Sequence, residues 1–237
     1  MWKSTLARTI VASVVGLWLG GPVSASVLFS EDFEDGEADG FSLEELWHVT
    51  DNFPAGGTYA LGYVQNESTG NTPDGDYDIG NVAATSFSPP IAIPDGVTTL
   101  VFDAFVGDEY DGFPESFDQF NVWASLDGSS LDTLLASSPP SLGGVLIQEW
   151  GGPGTEAYQT IAAELSPFAG KTIYLAYQFD PLDDLFNEYP GVRVDNITVE
   201  HEDDARGQSP VVPEPASLLL FGLGAIGASL SRRRFLA

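Results

Sequence analysis

The stretch Thr172-Ile173-Tyr174-Leu175-Ala176-Tyr177-Gln178-Phe179 decides the fold class. Ile173, Leu175, Tyr177 and Phe179 stand at every second position with a more mixed set between them, and a period of two gives an extended strand one apolar face. The same pattern repeats outward from this segment. Phe120, Val122, Ala124 and Leu126 alternate with Asn121, Trp123, Ser125 and Asp127, after which Asp127-Gly128 turns the chain toward Leu131 to Ala136. Alternation on both sides of an Asp-Gly pair is a hairpin signal. Leu100 to Val106 and Tyr158 to Leu165 alternate in the same way, and no window between Val27 and Glu200 sustains a helical stripe with caps at both ends. The chain has 26 glycines and 16 prolines, which fits many turns. Many strands joined by Gly, Pro, Asp and Asn predict an all-β body over residues 26-202, a two-sheet antiparallel β-sandwich of jelly-roll type.

One strand breaks phase. In Val192-Arg193-Val194-Asp195-Asn196-Ile197-Thr198-Val199, the first two valines share a face, yet Ile197 and Val199 fall on the other. A β-bulge near Asp195-Asn196 reconciles them, acting either to re-aim a side chain or only to kink the strand.

Charge narrows the partners. The chain has 8 Lys and Arg against 35 Asp and Glu, a net charge of -27. Between Ser26 and Ala205 only Lys171 and Arg193 are basic, while every acidic residue except Glu214 lies there. Such a body repels nucleic acid and anionic membrane surfaces and attracts cations. Cysteine is absent, which removes disulfides, thiolate metal sites and cysteine nucleophiles together. With 43% hydrophobic and 12% aromatic residues the chain has enough apolar surface for a core, so disorder throughout is excluded.

Both ends are addresses. Met1 to Ala25 opens with Lys3 and Arg8, continues with an apolar run from Ile10 to Leu19, and ends in Val23-Ser24-Ala25 after a Gly-Gly-Pro break. That order is a secretory signal peptide with cleavage expected after Ala25. The rival reading, a retained N-terminal anchor, suffers from the shortness of the apolar run. At the other end, residues 203-211 form a linker, and residues 212-237 hold Pro213, Glu214 and Pro215, an uncharged run from Ala216 to Leu230, and Arg232, Arg233 and Arg234. The run predicts a single short transmembrane helix, and the arginines fix its cytoplasmic side and leave the acidic body outside.

Candidate chemistry is sparse. Asp74-Gly75-Asp76-Tyr77-Asp78-Ile79-Gly80 opens like a calcium loop, but Ile79 occupies the position of an EF-hand glycine and Thr85 that of its glutamate. With only His48 and His201 as nitrogen ligands and no thiol, hard oxygen ligands favour calcium over zinc or copper. The chain has no nucleophile elbow, no zincin helix and no phosphate loop, and among so many carboxylates some pair always looks catalytic, so an enzyme is the least supported reading. His48 reads as a packing or hydrogen-bonding residue at a strand start, and His201 as an exposed residue past the last strand. Trp123, Trp150, Tyr110 and Phe113, beside the long polar loop from Asp108 to Asp118, make the candidate sugar-binding surface. On a strand, Trp123 reads equally as cover for a sheet.

The tail resembles a known signal. A Pro-Glu-Pro motif, a short apolar helix and a terminal arginine cluster, in that order, resemble the PEP-CTERM sorting signal of exosortase substrates in Gram-negative bacteria that make exopolysaccharide. The resemblance implies export, transient anchoring in the inner membrane, processing by an exosortase at the motif, and delivery to the cell surface or the extracellular, biofilm-forming matrix. It covers roughly the last tenth of the chain.

The body is similar to a jelly-roll domain of secreted bacterial proteins that is itself like the MAM domain of animal surface proteins. The residues that carry this are Glu31 to Gly36 in the first strand, Leu46 to Val49 in the second, Asp76 to Gly80, the Ala124 to Gly128 hairpin and the closing Gly191 to Ile197; the disulfides of animal MAM domains are missing. In such relatives a calcium ties acidic residues of the first strand to the Asp of the closing strand. Mapped onto this chain, the resemblance implies Glu34 and Asp195, with Asp32, Asp76 and Asp78 as weaker ligands; all five read equally as solvated turn or edge residues. The expected protein is a surface-sorted, calcium-assisted binding or structural protein that does no chemistry, with a carbohydrate-binding module as the runner-up.

Overall fold

The computed structural model describes residues 24–108, 118–138, 144–147 and 157–203. Most of the signal peptide, the linker beyond Asp203, the sorting segment with its apolar run and arginines, and Tyr110, Phe113 and Trp150 lie outside the described residues.

Ser24–Asp204 is one compact unit. Its strands form two sheets. The first has the order β10 (Gln159–Glu164), β6 (Val97–Gly107), β12 (Gly191–Asp203), β3 (Ala60–Tyr63) and β2 (Trp47–Thr50), with β1 (Ser24–Glu31) also paired to β12. The second runs β4 (Ala84–Phe87), β11 (Thr172–Asp180), β7 (Gln119–Ser125), β8 (Thr133–Ser138) and β9 (Val145–Leu146), with β5 (Ile91–Ala92) on β11. Pairing is antiparallel except between β8 and β9, which are parallel. The architecture is the jelly-roll-type two-sheet sandwich that the alternation predicts.

The core lies between the sheets. Ile173, Leu175, Tyr177 and Phe179 are all fully buried, as are Phe120, Val122 and Ala124 opposite them in register. From the first sheet Leu100, Phe102, Ala104 and Val106 meet them, together with Val192, Val194, Ile197 and Val199. Aromatic rings lock the layers: Tyr63 stacks on Phe179 with centroids 4.9 Å apart, and Trp47 meets Phe120 at 6.4 Å. The indole of Trp47 also donates to Ala84 O at 3.2 Å. Burial of this apolar face drives the collapse, at about 25 cal/mol per Å² removed from water.

The phase break in β12 is a bulge. The register with β6 slips between Asp195 and Thr198, and Asn196 takes a left-handed φ of 51°. The extra residue returns Ile197 and Val199 to the core while Arg193 and Asp195 stay on the outer side of the sheet.

Three expectations need correction. Leu126 does not continue the apolar face of β7, which stops at Ser125; it is 45% exposed, because the Asp127 turn begins there and bends the side chain away. Of Glu31 to Gly36, only Glu31 belongs to β1; the rest form a turn that Gly36 N closes on Phe33 O at 2.9 Å. Glu34 therefore projects from a turn and not from a strand. His201 is not past the last strand: β12 runs to Asp203 because β6 and β1 keep pairing with it, and His201 lies 7% exposed with Nδ1 3.1 Å from Thr98 Oγ1.

Candidate functional site

The outer face of the first sheet is roofed by the segments between β2 and β3 and between β3 and β4, and one cation holds the roof down. Arg193 is fully buried. Its Nε donates to Asn52 O at 3.1 Å, one terminal nitrogen to Pro190 O and Val192 O at 2.9 and 3.1 Å, and the other to Asn52 Oδ1 and Asp74 O at 2.6 and 3.2 Å. The fork satisfies all these oxygens in its plane, a task a lysine cannot match. Burial lowers the Arg193 pKa to about 10, so the group stays charged. Gly62, its partner in β3, makes the room: a Cβ there would stand 3.3 Å from Arg193 Cδ and 2.9 Å from Thr50 Cγ2. Sequence reasoning counts Arg193 among the basic residues without giving it this place; a lone arginine inside an apolar strand is the signal that could have found it.

Beside Arg193, Asp195 and Glu34 grip one loop from its two sides. Asp195 Oδ2 accepts from Ala55 N and Gly56 N at 3.0 and 3.3 Å, and Oδ1 accepts from Asn196 N at 2.7 Å. Glu34 Oε1 accepts from Thr58 N and Tyr59 N at 2.8 and 3.1 Å. Between them Gly57 has φ +62, and any Cβ there would strike the Glu34 carboxylate, so the chain leaves a cradle only glycine allows. The carboxyls differ electrostatically. The amides of Thr58 and Tyr59 pull Glu34 below the usual carboxylate range. Burial pushes Asp195 up to about 6 against its backbone amides, with Glu34 adding like-charge repulsion.

The structure brings Glu34 and Asp195 to one loop, keeps Asp32 in the turn of Glu34, and places Asp76 and Asp78 on another segment. Asp32 accepts from Glu34 N at 3.3 Å within the turn. Asp76 accepts from Gln65 Nε2 at 2.8 Å and Asn66 Nδ2 at 3.0 Å, and from Asp78 N at 3.2 Å. Asp78 is exposed. Among the described residues, no three His, Cys, Asp or Glu side chains are grouped as a metal site. The two carboxylates are held by backbone N–H groups, and as hard oxygen donors they suit a hard cation such as calcium.

His48, expected to pack or hydrogen-bond, contacts Leu46 O through Nδ1 at 2.8 Å and Glu67 through Nε2 at 2.6 Å. It ties β2 to the segment that covers Arg193.

Trp123 stands on the outer face of the second sheet, in register with Ala176 on one side and Leu134 on the other. It is half-buried, and its indole Nε1 donates to Gln178 Oε1 at 3.2 Å. Asn121 and Gln178 face outward next to it. Asn121 is 2% exposed with its Oδ1 lacking a hydrogen-bond partner.

Among the described residues no helix is long and apolar enough to cross a membrane. Residues 211–234 match the model of the PEP-CTERM protein-sorting motif. No curated protein matches the chain. Solved structures similar to it include the K1 and K3 cleaved adhesin domains of Lys-gingipain from Porphyromonas gingivalis W83. The K1 domain is 15% identical over 76% of this chain and 99% of its own, with a TM-score of 0.48. The K3 domain is 13% identical over 73% and 99%, with a TM-score of 0.44. The CBM22-1 xylan-binding domain from Paenibacillus barcinonensis is 13% identical over 78% of this chain and 100% of its own, with a TM-score of 0.43. The match at residues 211–234 means that the chain carries the PEP-CTERM protein-sorting signal, the mark of an exported surface protein processed by an exosortase.

Proposed function

We propose that the protein is a non-enzymatic component of the bacterial cell envelope or exopolysaccharide matrix, stabilised by calcium and delivered by its tail. The observation that carries this reading is the sorting signal at residues 211–234 behind a compact sandwich that ends at Asp204. Calcium would sit between Glu34 and Asp195, whose carboxylates hold the loop on either side of Gly57; bound there, it would neutralise two like charges that act on one another and tie the first turn to the closing strand. The chain's own residues do the rest: Asn196 aims Asp195 outward, and Gly57 leaves the space.

The sorting half is tested by intact mass. The surface form should lack residues 216–237, and full-length chain on every surface molecule would refute processing at Pro213-Glu214-Pro215.

A second reading is a carbohydrate-binding module, favoured by the outer face of the second sheet. Trp123 offers an indole face to a sugar ring, and Gln178, which accepts from the indole nitrogen, offers a polar contact beside it; stacking plus a few placed polar groups is what sugar recognition needs. Retention of the purified chain on immobilised exopolysaccharide, lost in Trp123→Ala and kept in Glu34→Gln, would select this reading. Equal retention of Trp123→Ala and the parent would sink it.

A further inference from the structure

We propose that the end of the sandwich between Asp108, Asp118 and Asn187 holds a second divalent cation of calcium's size, buried between the sheets and separate from Glu34 and Asp195. Register places the two aspartates. In β6, Phe102, Ala104 and Val106 turn to the core at every second position, and Asp108 is next in that series, directly after the Gly107 that pairs with Gly191. In β7, Phe120 and Val122 turn to the core, and Asp118 holds the same phase just before them. Asp108 is 1% exposed and Asp118 fully buried. The two carboxylates thus project inward from opposite sheets at the same end of the sandwich. Packed sheets lie about 10 Å apart, a gap that two short acidic side chains and one ion with oxygen ligands at about 2.4 Å can fill.

The segment between β11 and β12 closes this end and supplies the third group. It leaves β11 at Asp180, paired with Gln119 beside Asp118, and enters β12 at Gly191, paired with Gly107 beside Asp108. Its path runs from one aspartate to the other. Leu182 and Phe186 along it are left-handed, with φ of 54° and 59°, and their side chains are 42% and 67% exposed. Asn187 follows and turns inward, at 2% exposure. Neither its amide oxygen nor its amide nitrogen has a hydrogen-bond partner. Native interiors rarely leave a primary amide with both ends unused, since nothing repays its lost hydration. Asn187 O accepts from Tyr77 N at 3.1 Å, and the buried Tyr77 in turn donates its hydroxyl to the Asp118 carboxylate. One contiguous polar patch results.

The chemistry selects the ion. Two carboxylates and an amide oxygen are hard ligands in a flexible arrangement, which calcium accepts and which magnesium, with its tight octahedral shell, uses poorly. Zinc or copper would want nitrogen or sulfur; the chain has no cysteine, and His48 and His201 are engaged elsewhere. With the ion on Oδ1, the Asn187 Nδ2 hydrogens are free to meet a carboxylate oxygen, so one ligand satisfies both ends of the amide.

The test uses the purified full-length chain, stripped with chelator and titrated with calcium by calorimetry and with terbium(III), whose emission under tyrosine excitation requires a ring near the ion. Tyr77 is that ring. Asp118→Asn and Asn187→Leu should each bind one calcium fewer than the parent, and combined with Glu34→Gln each should lose most of the sensitised emission, whereas Glu34→Gln alone should keep this ion. Asn187→Asp, which adds a ligand charge, should tighten it at unchanged stoichiometry. Parental stoichiometry in both Asp118→Asn and Asn187→Leu would overturn the proposal, and so would the absence of calcium binding in the Glu34→Gln chain. If Asp118→Asn fails to fold, the two Asn187 variants decide, and a failure of Asn187→Asp to tighten calcium counts against the site.

Discussion

Arg193→Met removes the clamp on the outer face of the first sheet without shortening the side chain much. In the parent, the guanidinium answers Asn52 O, Pro190 O, Asp74 O and Asn52 Oδ1, with Val192 O as a fifth contact. Methionine leaves these buried oxygens without that donor, each worth about 1–3 kcal/mol if nothing replaces it. The loss is offset because a guanidinium no longer has to be desolvated, a penalty of several kcal/mol. The unmet oxygens outweigh that relief, leaving about 3–5 kcal/mol of destabilisation. At ~2–4 °C per kcal/mol for a domain of this size, Tm should fall by roughly 10 °C. Arg193→Lys keeps the charge but not the fork and should recover only part of that. Thermal unfolding gives the number, and hydrogen exchange gives the place: amides of residues 51–59 and 72–76 should lose protection before those of β11. If Arg193→Met melts within about 1 kcal/mol of the parent, or if Arg193→Lys restores it fully, the fork-to-carbonyl account is wrong.

Calcium should raise Tm more than magnesium at matched ionic strength, by the equivalent of about 2.7 kcal/mol at a hundred times its dissociation constant, and Asp195→Asn should lose the share due to the Glu34 site; equal effects of the two ions would reduce calcium to charge screening. In chelator, the raised Asp195 pKa sets a sign: the folded state holds this proton up to about pH 6 and the unfolded chain gives it up near 4, so Asp195 adds stability at low pH that is lost as pH rises through that window. The difference between parent and Asp195→Asn in urea unfolding should show that slope, and a difference that stays flat or grows with pH would contradict it. At the bulge, Asn196→Gly should be close to neutral while Asn196→Val costs about 1–2 kcal/mol, because a β-branched residue resists left-handed φ; a valine variant as stable as the parent would remove strain from the account of β12.

Period-two alternation is enough to read the layers. The alternating residues of β11 and β7 carry the contacts between sheets, and hydrophobic period is a property of single strands that needs no partner to be visible. Even the bulge is legible, since Ile197 and Val199 can share a face with Val192 and Val194 only if one residue is inserted between the two pairs. Pairing is not legible, because register depends on strands far apart in the chain: Asp195 and Ala55 are 140 residues apart, and no local pattern announces that they meet. For the same reason sequence alone does not sort the five acidic candidates. Asp76 and Asp78 look more like a calcium loop than Glu34 does, yet their own segment satisfies Asp76 through Gln65 and Asn66. Burial is the other blind spot. His201 reads as exposed because the apolar alternation stops at Val199, but pairing with β1 and β6 carries the strand on, and Thr98 gives its ring a partner.

The bulge in β12 both kinks the strand and re-aims a side chain. Strict alternation from Val192 would turn Ile197 and Val199 outward, exposing two core side chains, so some insertion is needed for packing alone. Packing does not specify where it goes. An extra residue at Thr198 would restore Val199 but not Ile197, and one at Val194 would turn Asp195 inward under the apolar layer, where its carboxyl would lose Ala55, Gly56 and its approach to Glu34. Placement at Asn196 is the solution that returns both apolar residues to the core and keeps Asp195 on the outer face beside Arg193. The side chain of Asn196 reinforces it by donating to Asp103 Oδ2 at 2.9 Å, which fixes the left-handed turn from the neighbouring strand. The bulge is therefore aimed as well as tolerated: the same position that corrects the hydrophobic phase sets the carboxylate against the loop, and the core and the candidate calcium site depend on one left-handed residue, at 196.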